Sequence, residues 1–447
     1  MTRRVRVSPA RTALRLLGGL LLLIAIGTLL LWLPQSGARG RLRFGDACFT
    51  ALSALTTTGL STIRPALDLS VWGQLVLLVL MQLGSIGFTV LSVVVFMLIG
   101  RRITFAERVA LRDTLGVFDM RAVGRLAFRV LLGIAAIESL GALLLWLNWS
   151  GRFGAGRAAY LAIFHSVSAF SNASFDLFGG GGPSVVNPFP TDTATLLTLA
   201  AIIACGSFGV PVIYDLLNWR TQPRVTLHTK ITLGMWTTLT VLGTALIFTG
   251  ESLEQSAFTD LPAPRRLLFA LFHATASRTA GFNVQPIENL APASALVLTV
   301  LMFIGGAPAS TAGGIHTTTL AVLLFAASAY VRGAEQITVG KRAIGAEAVQ
   351  KAVAIVAVSV LISATGAWLL MITQPATFIE ALFEAISAFS TCGFTLGLTS
   401  RLNDAGLLID ALLMICGRLG PLTIAFVVAR PNRVSLLHVP EESIVVG

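Results

Sequence analysis

Four short segments carry residue types from which a cation site can be built: Thr56-Thr57-Thr58-Gly59, Ser171-Asn172-Ala173-Ser174, Arg278-Thr279-Ala280-Gly281 and Ser390-Thr391-Cys392-Gly393. Each ends on a small residue followed by a bulky one, and those small residues recur about every 110 positions. A cation that sheds its water needs oxygen dipoles in its place, and rings of backbone carbonyls supply them. Turning carbonyls toward one axis demands backbone angles that glycine adopts without steric cost. The last three residues of each segment are therefore the candidate ligands. Oxygen donors without a ring of carboxylates suit a monovalent ion, and the nearest acid, Asp176, follows only one segment. The plainer alternative is four helix-ending turns.

A second stretch, GGAPASTAGGIHTTT (305–319), interrupts an apolar run from about 293 to 330. Gly305, Gly306, Gly313 and Gly314, with Pro308, oppose a helix, and Ser310 and Thr311 add hydroxyls. Non-helical backbone at membrane depth survives where protein buries it or where it lines a watery cavity, so the expectation is a loop facing a pore. An extramembrane turn between two spans is the alternative. Arg418 lies midway through another apolar span, where a charge is costly and must find interior partners. The expected partners are carbonyls or hydroxyls of the 305–314 loop, with Glu138 and Asp410 as the competing ion-pair candidates. His165, His273 and Glu384 stand just ahead of the tight segments. Their similar places in different repeats explain them without a metal, and there is no HExxH pattern. His316 could sense pH or cap the loop.

The elements that must position these residues follow from composition. The chain has 447 residues, 55% hydrophobic and 12% charged, with a mean hydropathy of +0.82, which describes a multi-spanning membrane protein. The net charge of +11 is not spread as a nucleic-acid surface. Arg3, Arg4, Arg6, Arg11 and Arg15 precede the first span, and Arg101 to Arg129 follow the second, the positive-inside pattern with a cytoplasmic N-terminus. Cys48, Cys205, Cys392 and Cys416 form no CxxC pair and read as small core residues.

Two apolar spans flank each tight segment: 12–34 and 70–100, 126–147 and 193–217, 228–249 and the interrupted 293–330, 350–372 and 404–429. The second spans share GSIG (84–87), GSFG (206–209) and GRLG (417–420), and in the third the glycine-rich loop takes that place. The expected fold is an all-α membrane protein of four parallel M1–P-loop–M2 repeats with pseudo-fourfold symmetry around a central pore. The divisions are a cytoplasmic N-terminus (1–11), repeat 1 (12–100), connection and repeat 2 (101–217), connection and repeat 3 with its loop (218–331), connection and repeat 4 (332–429), and a tail (430–447) ending in an apolar IVVG suited to docking.

TTTGL, SNASFDL, RTAGF and STCGF, with GSFGVPVIYDL (206–216), the glycine-rich loop, GRLGPL (417–422) and PEESIVVG (440–447), make the chain resemble the Trk/Ktr/HKT superfamily, most nearly the membrane subunit of bacterial Ktr potassium uptake systems. The resemblance covers 12–447. It implies K⁺ uptake with a filter made by the four segments, a gate made by the 305–319 loop with Arg418, and no organic cofactor. It also implies a homodimer in the bacterial inner membrane on a cytoplasmic ring of nucleotide-binding regulatory subunits, the chain itself having no nucleotide-binding loop. The family pattern has Gly where this chain has Ser174, and in the HKT branch Ser at a filter Gly of the first repeat accompanies Na⁺ permeation. A Cβ disfavours left-handed angles and a hydroxyl adds a competing oxygen, so a carbonyl turned away there would loosen the site. A relaxed K⁺/Na⁺ transporter or a Na⁺-coupled carrier is the alternative that follows.

Enzyme readings lack their residues: no GxSxG, HxxxxD or paired intramembrane Asp motif occurs. A voltage-gated channel would need Arg at every third position of one helix per repeat, and none is visible.

Overall fold

The computed structural model describes residues 9–86, 123–178, 189–217, 225–254, 258, 261–340 and 342–420. Within them, a long apolar helix, a short helix and a second apolar helix follow one another four times. The first set is α1 (Pro9–Trp32), α2 (Phe44–Leu55) and α3 (Val71–Ile86). The second is α4 (Val123–Phe153), α5 (Ala155–Ser171) and the bent pair α6 (Thr193–Ser207) and α7 (Gly209–Leu217). The third is α8 (Leu227–Leu253), α9 (Ala263–Ala276) and the interrupted pair α10 (Pro292–Phe303) and α11 (Thr317–Val331). The fourth is α12 (Ala346–Thr373), α13 (Phe378–Ser390) and α14 (Asp404–Leu419). The basic connection up to 122, residues 218–224 and the tail 430–447 lie outside the described residues.

Helix starts are written locally. Asp192, Thr226 and Asn403 accept from the backbone N–H of Thr195, Thr229 and Gly406, and Thr377 with Glu380 closes a full capping box on α13. Residues 128–153 of α4, together with α8 and α12, are long and apolar enough to cross a bilayer, and α6–α7 counts as a fourth span if taken together. Large apolar side chains stand exposed on the outer helices, among them Leu147, Leu246 and Leu361, a surface fit for lipid rather than water.

Each long helix packs on the short helix of its own set. Each second apolar helix also reaches the short helix of the next set: α3 touches α5, α6 touches α9, α10 touches α13, and α14 returns to α2. The contacts thus close a cycle with the four short helices inside, where Phe49, Phe164, Phe272 and Phe383 are buried.

Two features depart from the sequence expectation. The span read as one helix over 193–217 breaks at Phe208 with a bend of 106°. Gly209 there has φ +77, and the Val210 N–H donates to Ala309 of the glycine-rich loop at 3.0 Å. Gly209 and Pro211 mark the break locally, since Pro211 has no N–H for the Ser207 carbonyl; what the sequence does not show is that the distant loop takes up the freed groups, with the Ala307 N–H on that carbonyl. The connection after α11 is not wholly helical or coiled either: Ile337–Val339 and Arg342–Ile344 pair antiparallel as β1 and β2 about a turn at Gly340, φ +61.

Candidate functional site

The four tight segments are the C-terminal turns of the short helices. In three of them the same two bonds close the helix: Thr57 N–H to Ala54 and Thr58 N–H to Ser53, Asn172 to Ala169 and Ala173 to Ser168, Thr391 to Ala388 and Cys392 to Ser387. These are Schellman-type caps, which require a left-handed residue. The third winds one residue further, and Gly281 N–H bonds Ala276. Left-handed φ then alternates along every segment: Thr57 +55 and Gly59 +87, Asn172 +52 and Ser174 +61, Thr279 +89 and Gly281 +53, Thr391 +53 and Gly393 +93. A backbone that alternates its sign of φ places successive peptide dipoles on one side.

Gly59, Ser174, Gly281 and Gly393 line one cavity of about 580 Å³, so the structure brings the four small positions together. Ser174 shows how closely. Its Oγ lies 3.1 Å from the Thr58 carbonyl, 2.7 Å from that of Ala280 and 2.7 Å from that of Cys392, one carbonyl from each other segment. A Cβ built on Gly281 would overlap the Cys392 carbonyl and the Ser174 hydroxyl. The backbone at Ser174 keeps the left-handed angle of the glycines; what differs is the hydroxyl laid at the meeting point.

Beneath this ring lies the glycine-rich loop, which spans 304–316 because Thr317–Thr319 already form the first turn of α11. Its ends meet, with Ile315 N–H on the Phe303 carbonyl at 3.3 Å, and its middle crosses to the other three sets. Thr311 is the hub. Its Oγ1 donates to the Gly206 carbonyl (3.2 Å) and accepts from Asn172 Nδ2 (2.8 Å), and its carbonyl accepts from Thr57 Oγ1 (3.2 Å) and from Arg418. Gly313 N–H donates to Thr391 Oγ1 at 3.1 Å, and Ala307 N–H to the Ser207 carbonyl at 2.9 Å. Gly305 and Gly306 open the loop at the end of α10, and Gly314 closes it with φ +71.

Of the partners of Arg418 one belongs to the loop, as expected, and the other two belong to the first set; none is an acid among the described residues. One Nη1 serves the Thr311 carbonyl and Thr57 Oγ1 (3.2 Å), and Nη2 serves the Gly84 carbonyl. Glu138 instead accepts from Gln82 at 3.1 Å. Arg418, Ser310, Thr311 and His316 line a second cavity, of about 740 Å³, on the far side of the loop from the ring. His316 precedes α11 without a side-chain bond to that helix, and its ring bonds the backbone of Gly306 at the start of the loop instead. His165 and Glu384 brace the chain after two of the turns: His165 Nε2 accepts from Leu177 N–H at 3.3 Å, and Glu384 accepts from Thr395 Oγ1 at 2.6 Å and from Thr399. His273 Nδ1 bonds the Phe269 carbonyl at 2.9 Å.

One set of residues, and the reason for one motif, escaped the sequence reading. Ser53 and Ser387 accept the N–H of Gly59 and Gly393 at 2.9 and 3.1 Å, and Ser168 Oγ donates to the Phe175 carbonyl at 2.7 Å, each hydroxyl fixing the turn that follows it. The signal was available, since a Ser or Thr stands six residues before every small residue. The motif is GSIG, GSFG and GRLG, whose recurrence the sequence showed without the reason for its leading glycine. A Cβ on Gly84, Gly206 or Gly417 would collide with the carbonyl of Leu55, Phe170 or Phe389, the last turn of the adjoining short helix. The signature is thus a close approach of helix to helix, repeated in three sets.

Comparison with known proteins gives one answer. The family model TrkH, described as cation transport protein, matches residues 20–435. The Ktr system potassium uptake protein B of Vibrio alginolyticus is 35% identical over 94% of this chain and 91% of its own length. The potassium/sodium uptake protein NtpJ of Enterococcus hirae is 32% identical over 99% of this chain and 98% of its own. The crystal structure of the potassium transporter TrkH from Vibrio parahaemolyticus has the same fold, with a TM-score of 0.76 at 18% identity over 96% of this chain and 87% of that one.

Proposed function

Because this chain belongs to the TrkH family of cation transport proteins, a family of multi-pass membrane transporters and not of enzymes, we propose that it takes up K⁺ through a channel-like pore. Four parallel repeats stand around the pore with pseudo-fourfold symmetry. The carbonyls of the four turns form its selectivity filter, and the 304–316 loop with Arg418 forms its gate. The observation that carries this reading is the convergence of the Thr58, Ala280 and Cys392 carbonyls on the single point where Ser174 Oγ lies. Carbonyls drawn from separate helices to one point are what a cation needs to replace its hydration shell. The closed cycle of helix contacts and the relatives named for potassium uptake support it. The protein works in the bacterial inner membrane with a cytoplasmic N-terminus, as a homodimer on a ring of nucleotide-binding regulatory subunits.

Ser174 favours a second reading, a relaxed K⁺/Na⁺ pathway or a Na⁺-coupled carrier. One hydroxyl proton satisfies one carbonyl at a time, so the other two face a lone pair, and the Cβ narrows the ring. One relative is itself named for both ions. The test is flux of K⁺, Rb⁺ and Na⁺ through purified protein in liposomes, wild type against Ser174→Gly. A wild type that prefers K⁺, little altered by the substitution, supports the first reading. Comparable Na⁺ flux that becomes K⁺-preferring in Ser174→Gly supports the second. No flux of any ion, even with the loop and Arg418 altered, refutes the pore.

A further inference from the structure

Arg278 opens the third turn where the other sets have Thr56, Ser171 and Ser390. Thr56 and Ser390 fold back onto carbonyls of their own helices, at 2.9 Å from Leu52 and 2.7 Å from Ile386. Arg278 reaches outward instead. Its Nη1 donates to the Trp236 carbonyl in the middle of α8 at 3.1 Å, and its Nη2 to the Gly305 carbonyl at 3.2 Å, while its guanidinium carbon stands 5.6 Å from the Trp236 ring centroid. The residue is wholly buried, and among the described residues it forms no ion pair. A guanidinium placed in a membrane interior on carbonyls alone is costly, so its position calls for a reason.

Gly305 supplies one. It is the second loop residue after α10, just past the C-terminal carbonyls that form the negative end of that helix's dipole. A cation there is favoured by the dipole of the broken helix. The same side chain belongs to the residue preceding Thr279, and a Cβ on Gly305 would lie 3.3 Å from the Thr279 methyl, so loop root and turn are in near contact.

The two arginines on the loop differ in their access to water. Arg418 lines the 740 Å³ cavity, so water can take over its carbonyls when the loop leaves. Arg278 is sealed, and releasing it would strand a charge and two acceptors in a dry interior. We propose that Arg278 is a positioning residue that pins the third turn and the loop's root, Gly305, to each other and to α8, so that ion selection depends on it and the loop moves only beyond Gly306. The inference rests on the filter-and-gate reading above.

The test measures the Rb⁺ to Na⁺ flux ratio in liposomes for Arg278→Lys and Arg278→Met, beside Arg418→Ala and Gly281→Ala, with monodispersity and Tm recorded for each. Losing one charge-assisted bond shifts an equilibrium by about tenfold, so Arg278→Met is expected to change the ratio by several-fold. Arg278→Lys, which keeps the charge but cannot span both carbonyls, is expected to recover part of it. Arg418→Ala is expected to raise flux with the ratio unchanged. A folded Arg278→Met, or a folded Arg278→Lys if the former aggregates, with wild-type flux and ratio overturns the inference. If Gly281→Ala also leaves flux and ratio untouched, the filter reading itself has failed; if Gly281→Ala acts and the Arg278 variants do not, only the role given to Arg278 falls.

Discussion

Removing the Arg418 guanidinium tests the gate most directly. Three acceptors hold it, but only the Thr311 carbonyl belongs to the loop; Thr57 and Gly84 belong to the first set. A hydrogen bond from a charged donor contributes about 1.5–3 kcal/mol, and that is the differential stabilisation of the loop's position across the pore that Arg418→Ala removes. Thr57 Oγ1 also lies 3.2 Å from the Thr311 carbonyl, but its one proton has a nearer acceptor in the Thr56 carbonyl at 2.7 Å, so the low end of that range is the least loss to expect. About 1.4 kcal/mol is tenfold in a two-state population, so Rb⁺ flux through purified protein without any regulatory partner should rise about tenfold or more. Losing the positive charge would also raise cation flux, and Arg418→Gln separates the two. It keeps an amide donor without the charge, so a latch predicts flux near wild type and an electrostatic barrier predicts flux near that of Arg418→Ala. A folded Arg418→Ala whose Rb⁺ flux equals wild type would refute both roles.

The remaining expectations concern the ring and the scaffold. Gly281→Ala puts a methyl onto the Cys392 carbonyl at a residue with φ +53, where a Cβ costs about 1–2 kcal/mol before any clash, and tracer flux should fall to background in protein that still inserts and stays monodisperse. Thr377→Ala removes the capping box of α13 at about 1 kcal/mol, so Tm should drop while the ion ratio holds; an altered ratio at unchanged Tm would contradict a purely local cap.

The sequence by itself determined what acts locally. Bilayer-length apolar runs can only be helices, because hydrocarbon offers no partner to an open backbone. Gly305, Gly306, Pro308, Gly313 and Gly314 cannot continue one, and the four small-residue turns declare themselves by their residue types and spacing. Arg418 could be assigned carbonyl partners because a charge in an apolar span must find some. What required the tertiary structure is every property set by two segments distant in sequence. The bend at Phe208 is marked locally by Gly209 and Pro211, but the partners of its freed backbone groups come from the loop that inserts beside it. Thr311 becomes a hub because Thr57, Asn172, Gly206 and Arg418 arrive from three other sets of helices. Arg278 reads as one more turn residue until Trp236 and Gly305 come within reach, and the hydroxyl of Ser174 reads as one wall's variation until three carbonyls close around it. Local chemistry fixes where a chain can bend and which groups must be satisfied; which partner satisfies them is decided only when packing brings the candidates within about 3 Å.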